Sequence, residues 1–130
     1  MELHTISPKG GYTQEDVQEL AKIMTGWRPK WTKKSDQGTD IRFMSDRHEP
    51  GKKNVLGKTY KNGRKSLKIV IKDLVNHPSC SEFIATKLCR YLITDHPTKE
   101  MIAPIIKAWE QSDGYLPEVH KAAIKVAFEY

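Results

Sequence analysis

The sequence predicts a mainly α fold, with four to five packed helices, a long irregular loop and a small two-stranded β-ribbon inside that loop. Apolar residues recur at helical spacing near the N-terminus and again after residue 66. Between these stretches the helical period is lost, and Gly, Pro, Asp, Asn and Lys are frequent. A chain of 130 residues fits the usual size of one domain. We therefore expect a single helical domain over residues 1–130, with a basic loop and ribbon region at residues 28–65.

A first helix is predicted to begin at Thr13, because Thr13-Gln14-Glu15-Asp16 is close to a capping box. Gly26 occupies the position where a left-handed C-terminal cap is expected. One face of the helix is predicted to be buried, since its apolar residues follow the i, i+3, i+4, i+7 pattern at Val17, Leu20, Ala21 and Met24.

The segment from Trp27 to Arg64 is predicted to be mainly loop. Two runs in it are typical of short strands, Ile41-Arg42-Phe43 and Asn54-Val55-Leu56, and His48-Glu49-Pro50-Gly51 is predicted to turn between them. We expect these two runs to pair with each other as the ribbon.

After Ser66 the helical pattern returns, with a predicted buried stripe at Leu67, Val70, Ile71 and Leu74. This helix is predicted to end at His77-Pro78, because the residue before a proline avoids helical geometry. Ser79 or Ser81 is expected to cap the helix that follows.

Two further helices are predicted. Thr98 is expected to cap the first of them, in which Pro104 either kinks the helix or marks the first turn of a shorter one. Trp109 lies on its periodic apolar face and is predicted to be core. Leu116-Pro117 is expected to begin the last helix.

The charge is unevenly distributed. The formal net charge is +6, but residues 28–72 hold 14 Lys and Arg against 4 Asp and Glu. Such clustering permits binding to nucleic acid or to another acidic surface. A solvated basic loop is favoured instead, because the segment has no aromatic-interleaved RNA motif and no recognition-helix pattern.

The apolar runs are too short to cross a bilayer, and the first residues lack the features of a secretory signal. We therefore expect no membrane partner and a cytoplasmic protein. Cys80 and Cys89 are nine residues apart, which on one helix is a rotation of about 900° and a rise of about 13 Å. They are predicted to be reduced core thiols beyond disulfide reach.

The best candidate site lies in the predicted turn, where Asp46, His48, Glu49 and Lys53 combine an imidazole, carboxylates and an amine within eight residues. A catalytic role would need His48 oriented as a base by Asp46 or Glu49. In the alternative that we favour, His48 and Lys53 only fasten the turn through hydrogen bonds. No metal site and no cofactor are predicted.

A weaker candidate is a binding surface formed by Trp27 and Trp31 with Arg28 and Lys30, because aromatic rings beside cations are common at recognition surfaces. The favoured alternative for Trp27 is that it covers the end of the first helix.

Motifs spread over most of the chain match one known pattern. They are Met1-Glu2-Leu3-His4-Thr5, Gly11-Tyr12-Thr13, Asp16-Val17, Leu20-Ala21, Thr25-Gly26-Trp27, Phe43, His48-Glu49-Pro50-Gly51, Lys53, Leu56-Gly57, Asp73-Leu74, His77-Pro78, Ala85, Lys87-Leu88 and Ser112-Asp113-Gly114. In these motifs the chain resembles a bacterial family of domains of unknown function, the one numbered eighteen hundred. Glu49 stands where members of that family usually have Asp, and residues 30–40 are lysine-rich by comparison.

This resemblance implies a truncated member: the chain corresponds to the C-terminal part of a longer family domain, without its helical N-terminal portion. It also implies that longer relatives are often exported. The family carries no assigned activity that would identify a substrate.

We consider three hypotheses for function. The first is a helical structural or interaction module without catalysis of its own, whose partner is the missing N-terminal portion or another protein chain. The second is the remnant or subunit of an enzyme, with a site around His48 that the missing portion completes. The third is electrostatic binding of nucleic acid through residues 28–72.

Overall fold

The protein was analysed as a computed structural model that describes Met1, residues 4–30 and residues 41–130. These residues form five α-helices and two antiparallel sheets of two strands each, so the fold is mainly α as predicted. The elements are α1 (Gln14–Met24), β1 (Trp27–Pro29), β2 (Ile41–Phe43), a 3-10 turn (Ser45–Arg47), β3 (Lys53–Val55), β4 (Lys58–Tyr60), α2 (Ser66–Val75), α3 (Pro78–Leu92), α4 (Lys99–Gln111) and α5 (Leu116–Glu129).

The chain divides into two compact units. One comprises residues 11–71, and the other comprises residues 1–10 together with residues 72–130. The candidate site lies in the first unit.

Helix α1 begins with the predicted capping box. The backbone N–H of Asp16 donates to Oγ1 of Thr13 at 3.2 Å, and the backbone N–H of Thr13 donates to Oδ2 of Asp16 at 2.8 Å. These bonds satisfy two donors that a helix N-terminus leaves without intrahelical partners.

The predicted buried face of α1 is partly wrong. Ile23 is buried, whereas Ala21 and Met24 are exposed. The reason lies in two acidic residues on the same side of the helix as Ile23. Asp16 accepts the backbone N–H of Leu56 at 2.9 Å, and Glu19 accepts that of Asn54 at 3.0 Å. Polar anchoring to the β3 segment therefore turns the helix away from the orientation that its apolar stripe predicts.

The backbone hydrogen bonds from β3 and its turn also lower the pKa of the Asp16 and Glu19 carboxylates. Backbone hydrogen bonds from Thr13 and Leu56 lower the pKa of Asp16 below its ordinary value. The pKa of Glu19 is also lowered, first by the Lys22 ammonium at 2.6 Å and then by the backbone of Asn54. Both groups are therefore held in the charged form that accepts hydrogen bonds.

The predicted ribbon pairing is wrong. Strand β2 pairs with β1, with Trp27 opposite Phe43, and β3 pairs with β4, with Lys53 opposite Tyr60. The β3–β4 connection is the two-residue loop Leu56-Gly57, whose φ angles are 51° and 76°. Two consecutive positive φ angles are the requirement of a type I′ hairpin turn, so β3 pairs with the strand that immediately follows it.

In the unit formed by residues 1–10 and 72–130, helices α3, α4 and α5 pack against one another. The indole N–H of Trp109 donates to the carbonyl oxygen of Val75 at 3.0 Å, so this core residue also ties α4 to the end of α2. The buried apolar residues of the unit are Ile6, Leu74, Cys80, Ala85, Cys89, Ile105, Trp109, Val119, Ala123 and Val126.

The ends of these helices differ in part from the prediction. Helix α3 begins at Pro78 and is capped by His77, whose Nδ1 accepts the backbone N–H of Ser79 at 3.2 Å, so neither predicted serine is the cap. Pro104 lies inside α4 rather than in its first turn. Pro117 lies in the first turn of α5, as predicted.

Both cysteines are free and buried. Burial raises the pKa of the Cys80 thiol to about 11, as desolvation of the thiolate requires. Among the described residues, no helix is both long and apolar enough to cross a bilayer.

Candidate functional site

The predicted turn residues His48 and Lys53 form a buried polar cluster in the unit of residues 11–71. Lys53 is 1% exposed and His48 is 8% exposed. Full burial of a lysine is unusual, because its charge must then be matched by hydrogen-bond acceptors inside the protein.

The ammonium group of Lys53 uses all three of its donors. Nζ donates to the carbonyl oxygen of Glu49, to Nε2 of His48 at 3.0 Å and to Oδ1 of Asn62 at 3.2 Å. Burial lowers the pKa of Lys53 below its ordinary value, and the charge of Glu49 opposes that shift. Three acceptors around a three-donor group leave it no free hydrogen for a ligand.

The contacts of His48 determine its tautomer. Nε2 receives the Lys53 ammonium and also the backbone N–H of Gly63 at 3.3 Å, so this nitrogen acts as an acceptor. Nδ1 lies 2.9 Å from the carbonyl oxygen of Thr25, which can only accept. The ring is therefore neutral with its hydrogen on Nδ1, and both nitrogens are engaged within the protein.

Thr25 and Gly26, at the end of α1, hold the other side of the cluster. Oγ1 of Thr25 accepts the backbone N–H of Glu49 at 2.8 Å and donates to the carbonyl oxygen of Lys22 at 2.5 Å. Gly26 has a φ of 85°, and a Cβ there would lie 2.7 Å from the carbonyl oxygen of Met44. Only glycine allows this approach.

The structure does not bring the predicted carboxylates to His48. Asp46 is exposed in the 3-10 turn, and neither nitrogen of His48 contacts it. Glu49 contributes its main chain to the cluster, accepting from Lys53 and donating to Thr25, while the residue itself is exposed. Among the described residues, the ring nitrogens of His48 contact the carbonyl oxygen of Thr25, the Lys53 ammonium and the backbone N–H of Gly63, and no carboxylate.

An aromatic contact connects this cluster to Trp27. The ring of Phe43 lies edge-on to His48 with centroids 5.1 Å apart, and its centroid lies 5.3 Å from that of Trp27. The indole Nε1 of Trp27 is buried and has no hydrogen-bond acceptor among the described residues. Trp27, Phe43 and His48 therefore form a continuous run of ring contacts.

The other predicted binding residues are separate from the cluster. Arg28 and Lys30 are exposed, and Arg28 lies opposite Arg42 in the β1–β2 sheet. Trp31 lies outside the described residues.

Trp27 instead lines an apolar groove beside α2, with a volume of about 760 Å³. Val70 lies on the buried side of α2, but Ile69 and Ile71 are 47% and 49% exposed, so the predicted burial of Ile71 is wrong. Ile69 and Ile71 lie at opposite edges of the buried side of α2, because residues two apart on a helix differ by about 200°. Its exposed side carries Lys68 and Lys72. The groove is lined by Trp27, Arg64, Lys65, Leu67, Lys68, Ile69 and Ile71.

A second cleft of about 480 Å³ shares Arg64, Lys65 and Ile69 with the groove. Its remaining lining is more polar and includes Lys58 and Lys61. Cationic side chains thus continue from one edge of the apolar groove into this cleft.

The described part of the chain contains no group of three or more His, Cys, Asp or Glu side chains arranged to hold a metal ion. His48, the residue best suited to such a role, directs both nitrogens to protein groups. The hydrogen bonds of His48 and Lys53 connect the 3-10 turn and β3 to the end of α1.

The sequence interpretation missed three partners in the cluster: Thr25, Asn62 and Gly63. Each belongs to a pair that signals a turn or helix end, Thr25-Gly26 and Asn62-Gly63. These pairs predict where the chain reverses, but they do not indicate that both reversals meet at one histidine.

Comparison with known proteins identifies a family but no activity. The chain matches no curated protein and no solved structure. The family model described as protein of unknown function (DUF1800) matches residues 1–127. Because this match covers nearly the whole sequence, the chain belongs to the DUF1800 family.

Proposed function

We propose that this chain is a helical structural or interaction module without catalysis of its own. The observation that carries the proposal is the saturation of the candidate site: the side-chain hydrogen-bonding atoms of His48 and Lys53 are all engaged inside the protein. A general base must be able to reach a substrate proton, and a catalytic amine needs a free hydrogen or lone pair. The cluster meets neither requirement and is built to hold the fold.

The same contacts disfavour the alternative of an enzyme remnant with a site around His48. Catalytic groups are often held at a cost in stability, so their removal tends to stabilise a protein. A structural cluster behaves in the opposite way, because removal of one member leaves buried partners without hydrogen bonds. The sign of the stability change therefore discriminates between the two hypotheses.

The test is a thermal melt of Lys53→Met, with Lys52→Met as the matched control. Lys53 is 1% exposed, whereas its neighbour Lys52 is exposed. The substitution at Lys53 removes the side-chain donor to the carbonyl oxygen of Glu49 and to Oδ1 of Asn62, and it leaves Nε2 of His48 with the backbone N–H of Gly63 alone. Loss of a buried hydrogen-bond partner costs roughly 1–3 kcal/mol. We expect Lys53→Met to lower Tm by at least about 5 °C and Lys52→Met to leave it nearly unchanged. An unchanged or higher Tm for Lys53→Met would contradict the proposal.

That the chain corresponds to the C-terminal part of a longer family domain stays a prediction based on the resemblance. Under the proposal, a partner portion or another protein chain would be bound by a surface rather than by the buried cluster. The exposed apolar groove beside α2 is the candidate for that surface.

A further inference from the structure

We propose that the groove beside α2 binds an acidic amphipathic segment of another protein. The inference rests on the proposed function as an interaction module and names the chemistry of its partner. The occupant places apolar side chains against Trp27 and α2, and its acidic side chains face the cationic edge of the groove.

Large apolar side chains flank the buried side of α2. Val70 is buried, whereas Ile69 and Ile71, on either side of it along the helix surface, are about half exposed. Leu67 and Trp27 adjoin them in the same groove. Four large apolar side chains in one concave surface are typical of a site that accepts apolar anchors from a partner.

The positive charge at the edge of the groove favours an acidic partner. Its ionisable lining residues are Arg64, Lys65 and Lys68, with no acidic residue among the described lining. The side chains of these three residues make no hydrogen bond or ion pair among the described residues. Because like charges at a surface are satisfied by a complementary partner, acidic side chains beside the apolar anchors are favoured.

The placement of the cations also argues against a purely electrostatic ligand. The phosphates of a nucleic acid bind cationic side chains and gain little from an adjacent apolar surface. An amphipathic segment binds both the cationic and the apolar side chains. The cationic edge continues past Arg64 and Lys65 toward Lys61 in the adjoining cleft. We therefore expect acidic residues of the occupant on one side of its apolar anchors.

The positions of Trp27 and Phe43 link the groove to the buried cluster. Trp27 contacts Phe43, and Phe43 contacts His48, so the buried cluster adjoins the wall of the groove.

The experiment is a selection of a displayed library of random peptides on the immobilised full chain. We expect enrichment of peptides with two or more large apolar residues and a net negative charge. Binding of the enriched peptides, made synthetically and labelled, is then measured by fluorescence polarisation against the chain and its variants.

Two matched pairs of variants locate the site. Ile71→Ser in the groove is compared with Ile124→Ser on α5, since these isoleucines are 49% and 50% exposed. Lys68→Glu is compared with Lys125→Glu, as both lysines are exposed. We expect affinity to fall about tenfold or more for Ile71→Ser and roughly three- to tenfold for Lys68→Glu, with little change in either control. A thermal melt of each variant verifies that it is folded.

The outcomes are distinguishable. If the enriched peptides bind Ile71→Ser and Lys68→Glu as tightly as the unmodified chain, the proposal that the chain is an interaction module stands. The proposal that the groove is the binding site is then overturned. If the enriched peptides share a basic or uncharged consensus sequence, the proposal that the partner is acidic is overturned. If no peptide is enriched, the whole inference is overturned. Tight binding of a single-stranded oligonucleotide that is insensitive to Ile71→Ser would favour the nucleic-acid hypothesis. Self-association that Ile71→Ser abolishes would identify a second copy of the chain as the occupant instead.

Discussion

Nζ of Lys53 lies 3.0 Å from Nε2 of His48, inside a protein whose family has no known activity. In a catalytic pair, one of these groups would exchange a proton with a substrate. Here the lysine also donates to Glu49 and Asn62, and the histidine directs its other nitrogen to Thr25. These contacts connect the end of α1 to the chain around β3.

Gly26→Ala is expected to be strongly destabilising. The φ of Gly26 is 85°, and the added Cβ would lie 2.7 Å from the carbonyl oxygen of Met44 and 3.1 Å from Cβ of His48. Gly51→Ala is the matched control, because its φ is 92° but nothing lies within 4 Å of the added Cβ. We expect Gly26→Ala to cost at least about 2 kcal/mol more than Gly51→Ala in urea unfolding. Equal costs would mean that the turn around His48 does not need this close approach.

The acid sensitivity of the protein is expected to depend on Asp16. Its pKa is lowered in the folded state from an ordinary value of 3.8, so the unfolded chain binds the proton more readily. The stability that Asp16 contributes is therefore fully present above about pH 4 and is lost as pH falls through the lower, folded-state pKa. We expect Asp16→Asn to lower the free energy of unfolding at neutral pH and to reduce its decline in acid. The test is urea unfolding from pH 7 to pH 2, with a substitution of the exposed Glu15, Glu15→Gln, as the control. If the free energy of unfolding depends on pH in the same way for Asp16→Asn and the unmodified chain, the prediction is refuted.

Ile105→Asp is expected to unfold the unit of residues 1–10 and 72–130. Ile105 is 0% exposed in α4, so the substitution buries a charge without a partner. Ala103→Asp, on the exposed side of the same helix, is the control. Circular dichroism should show loss of the cooperative melt only for Ile105→Asp. A stable, cooperatively melting Ile105→Asp variant would show that the assigned core is wrong.

The helices after residue 78 were predictable because the apolar period is clear and prolines mark where α3 and α5 begin. Leu116-Pro117 begins α5 as the sequence indicates, and Trp109 is buried on the apolar face of α4. The cap of α3 was missed because a histidine, His77, supplies the acceptor that serine or threonine usually provides.

The strands were predicted less well, and two physical reasons account for this. Leu56 occupies the first position of the β3–β4 turn with φ at 51°, where asparagine or glycine is the usual signal. Strand β2 pairs with β1 from Trp27, in a segment that has no alternating pattern. Short strands of three residues are determined by such tertiary contacts more than by local pattern.

The candidate site was predicted in composition but not in geometry. His48 and Lys53, for which the sequence analysis favours hydrogen bonds within the turn, contact each other directly. Complete burial of Lys53 is not predictable from the sequence, because lysine is ordinarily exposed. Its burial depends on hydrogen-bond acceptors that come together only in the folded chain. The outer face of α2 was also missed, since periodicity alone could not tell that Ile71 belongs to the exposed side.

The most direct test of the central claim is the tautomer of His48, measured by long-range ¹H–¹⁵N correlation NMR at neutral pH with His48→Gln to assign the signals. The account predicts a neutral ring protonated on Nδ1, with an unprotonated Nε2 that accepts from Lys53 and Gly63. A ring protonated on Nε2, or on both nitrogens, could not accept those bonds and would contradict the structural role assigned to the cluster.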